Sequence, residues 1–142
     1  MRIRKLAAAL GVALSLTAIP LFASEASAAD GCSSPASYGG NAFTVQTTTL
    51  YGRNIELRYE NTFSPHCGWG RITNGSPGDS VWVNQWVNGV WTDKSGAGGK
   101  AYIPSGGTQA YTPQAFNDGF GYRMTACGKA VNRTEIYCTN YY

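Results

Sequence analysis

Histidine is almost absent from this chain: His66 is the single one in 142 residues. Charged residues are sparse, at 13%. There is no C-x-x-C pair, no Gly-x-Ser-x-Gly elbow, and no lysine- and arginine-rich run beyond the first few residues. Each absence narrows the function. Without closely spaced cysteines, zinc ligation is disfavoured. Without a basic run, the electrostatic footprint of a nucleic-acid binder is missing. A cysteine–histidine nucleophile would need Cys67 free beside His66, and a serine–histidine–aspartate triad would have to use His66 from within a proline loop. The carboxylates are also poorly placed. Glu56 and Glu60 share a strand face about 13 Å apart at strand rise, whereas glycosidase pairs need roughly 5–9.5 Å. Asp79, Asp93 and Asp118 fall in turn-like stretches, where aspartate bonds its own backbone. The expectation is a protein that is not an enzyme and carries no metal and no cofactor.

Long apolar runs are missing too, except at the N-terminus. Arg2, Arg4 and Lys5 precede an almost wholly apolar stretch from Leu6 to Phe22, and Ala26-Ser27-Ala28 has the small residues of a cleavage site. Residues 1–28 read as a secretory signal peptide, and residues 29–142 as a single exported domain. The apolar run is short for a bilayer, and no basic stop-transfer cluster follows it. The expected location is secreted and extracellular, with no membrane association after cleavage. Eight basic and seven acidic residues lie beyond position 28, a net charge of +1. The +3 of the whole chain comes largely from the leader.

All four cysteines, Cys32, Cys67, Cys127 and Cys138, lie in the exported part. An even count in a secreted chain reads as two disulfides, with three connectivities open. A two-residue turn at Asn132-Arg133 would set Cys127 directly opposite Cys138, at a separation a disulfide can span. Cys32–Cys67 then follows by elimination.

No convincing helical period appears in the exported part, where glycine and proline recur throughout. Short β-rich stretches alternate with turn signals instead. Ala42–Leu50 has strand composition. Tyr51–Asn54 reads as a turn, and Ile55–Tyr59 alternates cleanly, with Glu56 and Arg58 on the outward face. Trp69–Thr73, Ala101–Ile103, Thr108–Thr112, Phe120–Cys127 and Thr134–Tyr141 are further strands, and Trp69 is expected in the core. The fold class is all-β, a small Greek-key sandwich or barrel of about seven to nine short strands stapled by two disulfides.

The strongest local signal is Gly78–Ser95, GDSVWVNQWVNGVWTDKS, which holds three of the four tryptophans. Asn88-Gly89 supplies the positive φ angles of a type I′ hairpin. Alternation then places Trp82, Asn84, Trp86, Trp91, Asp93 and Ser95 on one face, with Trp82 opposite Ser95. Val81, Val83, Gln85, Val87, Val90, Thr92 and Lys94 take the other. A buried face should not intersperse a carboxylate and an amide among its rings. The tryptophan face is therefore expected outward, as a binding surface formed by Trp82, Asn84, Trp86, Trp91 and Asp93.

Three segments resemble a bacterial family of secreted proteins, the YjfA-type domain of unknown function. They are Gly52-Arg-Asn-Ile-Glu-Leu-Arg-Tyr59, then Cys67-Gly-Trp-Gly-Arg-Ile72 followed by Gly78-Asp79, and Ala110-Tyr-Thr-Pro113 followed by Ala126-Cys127-Gly128. The resemblance departs at Gly70, where the family usually has alanine, and in a second early cysteine and a Gly-Lys-Asp-Pro stretch that this chain lacks after Cys32. It implies a secreted, disulfide-bonded β-domain and brings no catalytic residue. In size, class and cysteine number the chain is also similar to small secreted α-amylase inhibitors, without their Trp-Arg-Tyr tripeptide.

The functional expectation is a monomeric, secreted β-domain that binds an extracellular protein, as an inhibitor-like module of a secreted hydrolase. The alternatives are binding of a polysaccharide or cell wall through the tryptophan hairpin, and a structural coat or matrix role.

Overall fold

Two dipeptides in the left-handed region set the tight hairpins, Tyr51-Gly52 (φ 47° and 79°) and Asn88-Gly89 (φ 48° and 85°). Such paired positive angles match the natural twist of the flanking strands. They belong to a computed structural model that describes residues 31–62 and 65–142. The expected signal peptide, residues 1–28, lies outside the described residues.

Two antiparallel sheets face each other as a sandwich. In the first, β1 (Phe43–Leu50), β2 (Arg53–Glu60) and β3 (Cys67–Thr73) follow in order. Two short strands, β7 (Ala110–Tyr111) and β8 (Phe116–Asn117), share the remaining edge of β3. The second sheet runs β10 (Ile136–Cys138), β9 (Tyr122–Lys129), β4 (Ser80–Val87). Here β5 (Val90–Asp93) and β6 (Lys100–Tyr102) share the far edge of β4. Each sheet thus has a split outer strand. The sheets do not close into a barrel, and the sandwich form of the expectation holds. Among the described residues, no helix is long and apolar enough to cross a membrane.

Both disulfides of the favoured pairing are present, Cys32–Cys67 and Cys127–Cys138. They indicate an oxidising setting. Cys127 lies opposite Cys138 in the β9–β10 ladder, as the sequence suggests. The turn itself is displaced: Arg133 N donates to Ala130 O, so Val131 and Asn132 form its centre. Other boundaries shift as well. Arg53 and Asn54 are already strand, and a 3-10 segment over Pro35–Asn41 precedes the first strand.

The core lies between the sheets. Ile55 and Leu57 of β2 and Ile72 of β3 meet Val81 and Val83 of β4 and Met124 and Ala126 of β9. Trp69 is buried, but outside this core. It stacks on Tyr38 on the far side of the first sheet, in a satellite cluster with both cysteines of the Cys32–Cys67 bridge. Glu56 and Arg58 also depart from the simple surface reading. Glu56 is buried and pairs across the ladder with Arg71, at 2.5 Å.

Asp79 ties the two sheets at one end. Its Oδ2 accepts from Arg53 Nε and Ser76 N, both at 2.7 Å, and its Oδ1 accepts from Val131 N at 2.9 Å. Burial pushes this carboxyl up, but the three donors outweigh it and hold the group below its ordinary value.

Glycines on the inner faces let the sheets approach. A methyl at Gly70 would come 3.0 Å from Val81, and one at Gly128 would run into Ile55 Cδ1. Ile55 is fully buried, so it has no free space to retreat into. Gly128→Ala is expected to destabilise by about 1–3 kcal/mol through overpacking. Ile55→Val removes the nearer obstructing carbon, leaving Cγ1 at 2.8 Å, and alone costs about 0.5–1.5 kcal/mol. In denaturant melts the double variant should therefore be more stable than the sum of the singles predicts. Strict additivity would show that the close approach is absent.

Candidate functional site

Strand β4 makes ladders on both edges, with β9 on one side and β5 and β6 on the other. Its side chains must therefore point either into the sandwich or away from it. Val81, Val83 and Gln85 point inward and are fully buried. Trp82, Asn84 and Trp86 point outward. The inner face is not uniformly apolar, because Gln85 Nε2 donates to Asn117 O across the core. Val90 is no part of that core; it lies at the hairpin tip, 64% exposed.

The Asn88-Gly89 turn sets Trp91 opposite Trp86. Their ring centroids are 6.0 Å apart, inclined at 60°. Tyr141 completes the row, 6.0 Å from Trp91 and nearly perpendicular to it at 88°. It arrives there because the C-terminal tail continues along β9. Met124 and Tyr142 exchange two backbone hydrogen bonds, at 3.0 and 3.1 Å. Trp86 is 38% and Trp91 41% exposed. Arg123, in register with Trp86, lines with it and Tyr141 a small cleft of about 150 Å³.

Beside the row lies a larger, shallow groove of about 500 Å³. Trp82, Asn84, Trp91 and Asp93 line it, together with Lys100 and the Cys127–Cys138 disulfide. Asn84 and Asp93 are opposed in register. Asn84 Nδ2 donates to Cys127 Sγ at 3.4 Å, and Asp93 Oδ1 accepts from Ser95 N at 2.7 Å. The neighbour of Trp82 is Lys100 rather than Ser95. The chain turns through a 3-10 segment at Ser95–Ala97 before pairing again as β6. Lys100 Nζ then sits 5.2 Å from the centre of the Trp82 ring, a cation–π contact.

The five residues singled out from the sequence thus share one face. Four line the groove, and Trp86 lines the adjoining cleft. Sequence reasoning missed Lys100, Arg123 and Tyr141. Only the aromatic pair Tyr141-Tyr142 offered a signal, and nothing local tied it to the hairpin.

Elsewhere, Cys67 is disulfide-bonded and so is no free nucleophile. His66 is exposed, with its ring edge-on to Tyr59 at 5.7 Å. Asp93 bonds its own turn as expected, but Asp118 does not. Asp118 is only 8% exposed, and neither carboxylate oxygen has a hydrogen-bond partner among the described residues. Burial raises its carboxyl to about 7. The charge of Asp118 adds to burial in pushing the Tyr59 phenol up to about 12, as do Tyr142 and Glu60.

In the unfolded chain Asp118 titrates near its ordinary 3.8. Between that value and about 7, the fold keeps a proton that the unfolded chain has released. Stability should therefore fall as pH rises through this window, by up to about 1.4 kcal/mol per unit, and level off above it. Asp118→Asn should flatten the decline and raise stability at alkaline pH. Denaturant melts across the window test this; an unchanged slope in Asp118→Asn would contradict it.

The outward placement of the rings makes a second prediction. Trp86→Ala should lower stability by about 1–2 kcal/mol, mostly its edge-to-face and cross-strand terms. Leu57→Ala, in the core, should cost about 2–5 kcal/mol. Chemical melts of the two variants decide, and a loss for Trp86→Ala equal to that of Leu57→Ala would return the ring to the core.

No family model, curated protein or solved structure matches this chain, so the site is read from its own residues.

Proposed function

We propose that this chain is a secreted, non-catalytic module that binds an extracellular protein through the outer face of its second sheet, in the manner of an inhibitor of a secreted hydrolase. The observation that carries the reading is the interlocked row Trp86–Trp91–Tyr141, with Arg123 beside it. Exposed aromatic rings flanked by arginine are the composition of interface hot spots. The row is also rigid, because two of its rings stand on a hydrogen-bonded hairpin and the third on a paired tail. Pre-organisation of this kind lowers the entropic cost of association. The two disulfides fit an oxidising, extracellular location, as does the leader-like N-terminus.

One observation favours a second reading, binding of a polysaccharide. The groove places the Asn84 amide and the Asp93 carboxylate beside Trp82 and Trp91, and these groups suit sugar hydroxyls. The ring geometry weighs against it. Sugar stacking needs an open, flat ring face, yet Lys100 sits over Trp82 and Trp91 has an edge-to-face neighbour on each side.

Two parallel assays separate the readings. In one, purified α-amylase, a subtilisin-type protease and lysozyme are assayed for inhibition. In the other, cellulose, chitin and peptidoglycan are used in sedimentation binding. The protein reading expects saturable inhibition of a hydrolase, weakened at least 30-fold by Trp91→Ala, equivalent to about 2 kcal/mol. Sedimentation with a polysaccharide, abolished by Trp82→Ala while every hydrolase runs at full rate, would overturn it in favour of the glycan.

A further inference from the structure

A second candidate site lies on the opposite side of the molecule, on the face of the first sheet that points away from the core. In the β2–β3 ladder Glu56 lies opposite Arg71, and Arg58 opposite Trp69. The Cys32–Cys67 disulfide pins the N-terminal segment across part of this face, and Tyr38 stacks on Trp69 with centroids 5.4 Å apart. Between that segment and the strands is a pocket of about 220 Å³. Arg58, Arg71, Trp69 and Tyr111 line it, with Ala36 and Ala42 on the side of the N-terminal segment.

The charges in this pocket do not balance. Arg71 is held by Glu56, with Nε at 2.6 Å and Nη2 at 2.5 Å from the same Oε2. Among the described residues, Arg58 has no carboxylate partner. Its Nη1 donates to Thr44 Oγ1 at 2.6 Å and its Nη2 to Ala42 O at 2.9 Å, both neutral acceptors. Thr44 Oγ1 in turn donates to Glu56 Oε2 at 3.4 Å. One carboxylate thus serves two guanidinium groups, one directly and one through a hydroxyl, and a single positive charge is left over. Burial first, and then the charge of Arg71, hold Arg58 below its ordinary value, so the two cations feel each other across the pocket. The network also fixes both side chains before any ligand arrives. Each guanidinium has five N–H donors, and these bonds use two on each.

We propose that this pocket binds a carboxylate carried on a small apolar body. The carboxylate takes the free N–H groups of Arg58 and Arg71, and the body lies against Trp69 and Tyr111. Planar guanidinium donors match a carboxylate in paired, charge-assisted hydrogen bonds. The charge count calls for an anion, and the partly covered site favours a monoanion, whose desolvation costs less than that of a dianionic phosphate. The volume sets the size, since about 220 Å³ is below the roughly 300–1,000 Å³ of drug-sized pockets. Such a carboxylate could belong to a free organic acid or to the C-terminus of a peptide.

Titration of the isotope-labelled protein with benzoate, benzamide and phenyl phosphate, followed by backbone amide shifts, tests the proposal. Benzoate should shift the amides of Arg58, Arg71 and Ala42 saturably. Benzamide should leave them in place, and phenyl phosphate should bind at least tenfold more weakly than benzoate. Arg58→Gln should weaken benzoate at least tenfold. Should that variant fail to fold, Ala36→Glu puts a negative charge at an exposed rim position and should weaken benzoate by a similar factor. Failure of benzoate to move these amides, equal binding of benzamide or phenyl phosphate, or undiminished benzoate binding by a folded variant overturns the proposal. An acetylated dipeptide ending in phenylalanine, compared with its C-terminal amide, identifies the source. Tighter binding of the peptide acid than of benzoate assigns a peptide terminus, and the reverse assigns a free organic acid; either upholds the carboxylate site.

Discussion

Strand β4 is hydrogen-bonded along both edges, so its eight side chains have only two directions to point. That constraint organises the rest of the structure. Once Val81, Val83 and Gln85 go inward against β2 and β3, Trp82, Asn84 and Trp86 must go outward. A slip of one residue would exchange the faces, exposing the valines and burying an amide among indoles. The outward row is thus a consequence of the way the core is filled. Burial of the valine face stabilises the fold, and the same choice presents the rings to solvent.

The two disulfides act on what lies around this central strand. Cys127–Cys138 holds the three-residue β10 against β9 and forms part of the groove lined by Trp82 and Asn84. Cys32–Cys67 holds the N-terminal segment over the outer face of the first sheet, where that segment forms one wall of the arginine pocket. On the chain-entropy model, bridges closing loops of this order contribute about 3–4 kcal/mol each. Each staple also shapes a surface, so the two candidate sites lie on opposite faces, each beside its own bridge. The sheet-to-sheet distance depends on something smaller: glycines at 68, 70 and 128 leave room for Met124, Val81 and Ile55.

The features legible in the sequence are those set by neighbours along the chain. Asn88-Gly89 and the strict alternation around it specify the hairpin and which side chains share a face. The spacing of Cys127 and Cys138 specifies their register, though the turn between them differs in detail. Contacts closed by distant segments were not legible. Lys100 reaches Trp82 only because the chain turns through Ser95–Ala97 and returns to the same edge of β4. Gln85 is tolerated inside because β8 brings Asn117 O to it. Asp118 looks like an ordinary turn aspartate, yet tertiary packing buries it near Tyr59. Glu56 reads as an outward residue of an alternating strand, and it is, but Arg71 and the covering segment turn that outward face into a half-closed one. Tyr141 joins the tryptophans because the tail carries one extra residue along β9, a shift that no local pattern announces.

Trp86 and Trp91 face solvent in the free protein, while Trp69, the tryptophan outside the hairpin, does not. Fluorine NMR of the protein labelled with 5-fluorotryptophan, titrated with a neutral paramagnetic gadolinium chelate, measures this ring by ring. The Trp86 and Trp91 resonances, each assigned by its phenylalanine variant, should broaden strongly, and that of Trp69 should change little. Trp86 and Trp91 signals as protected as that of Trp69 would contradict this placement, and with it the outward face on which the functional reading stands.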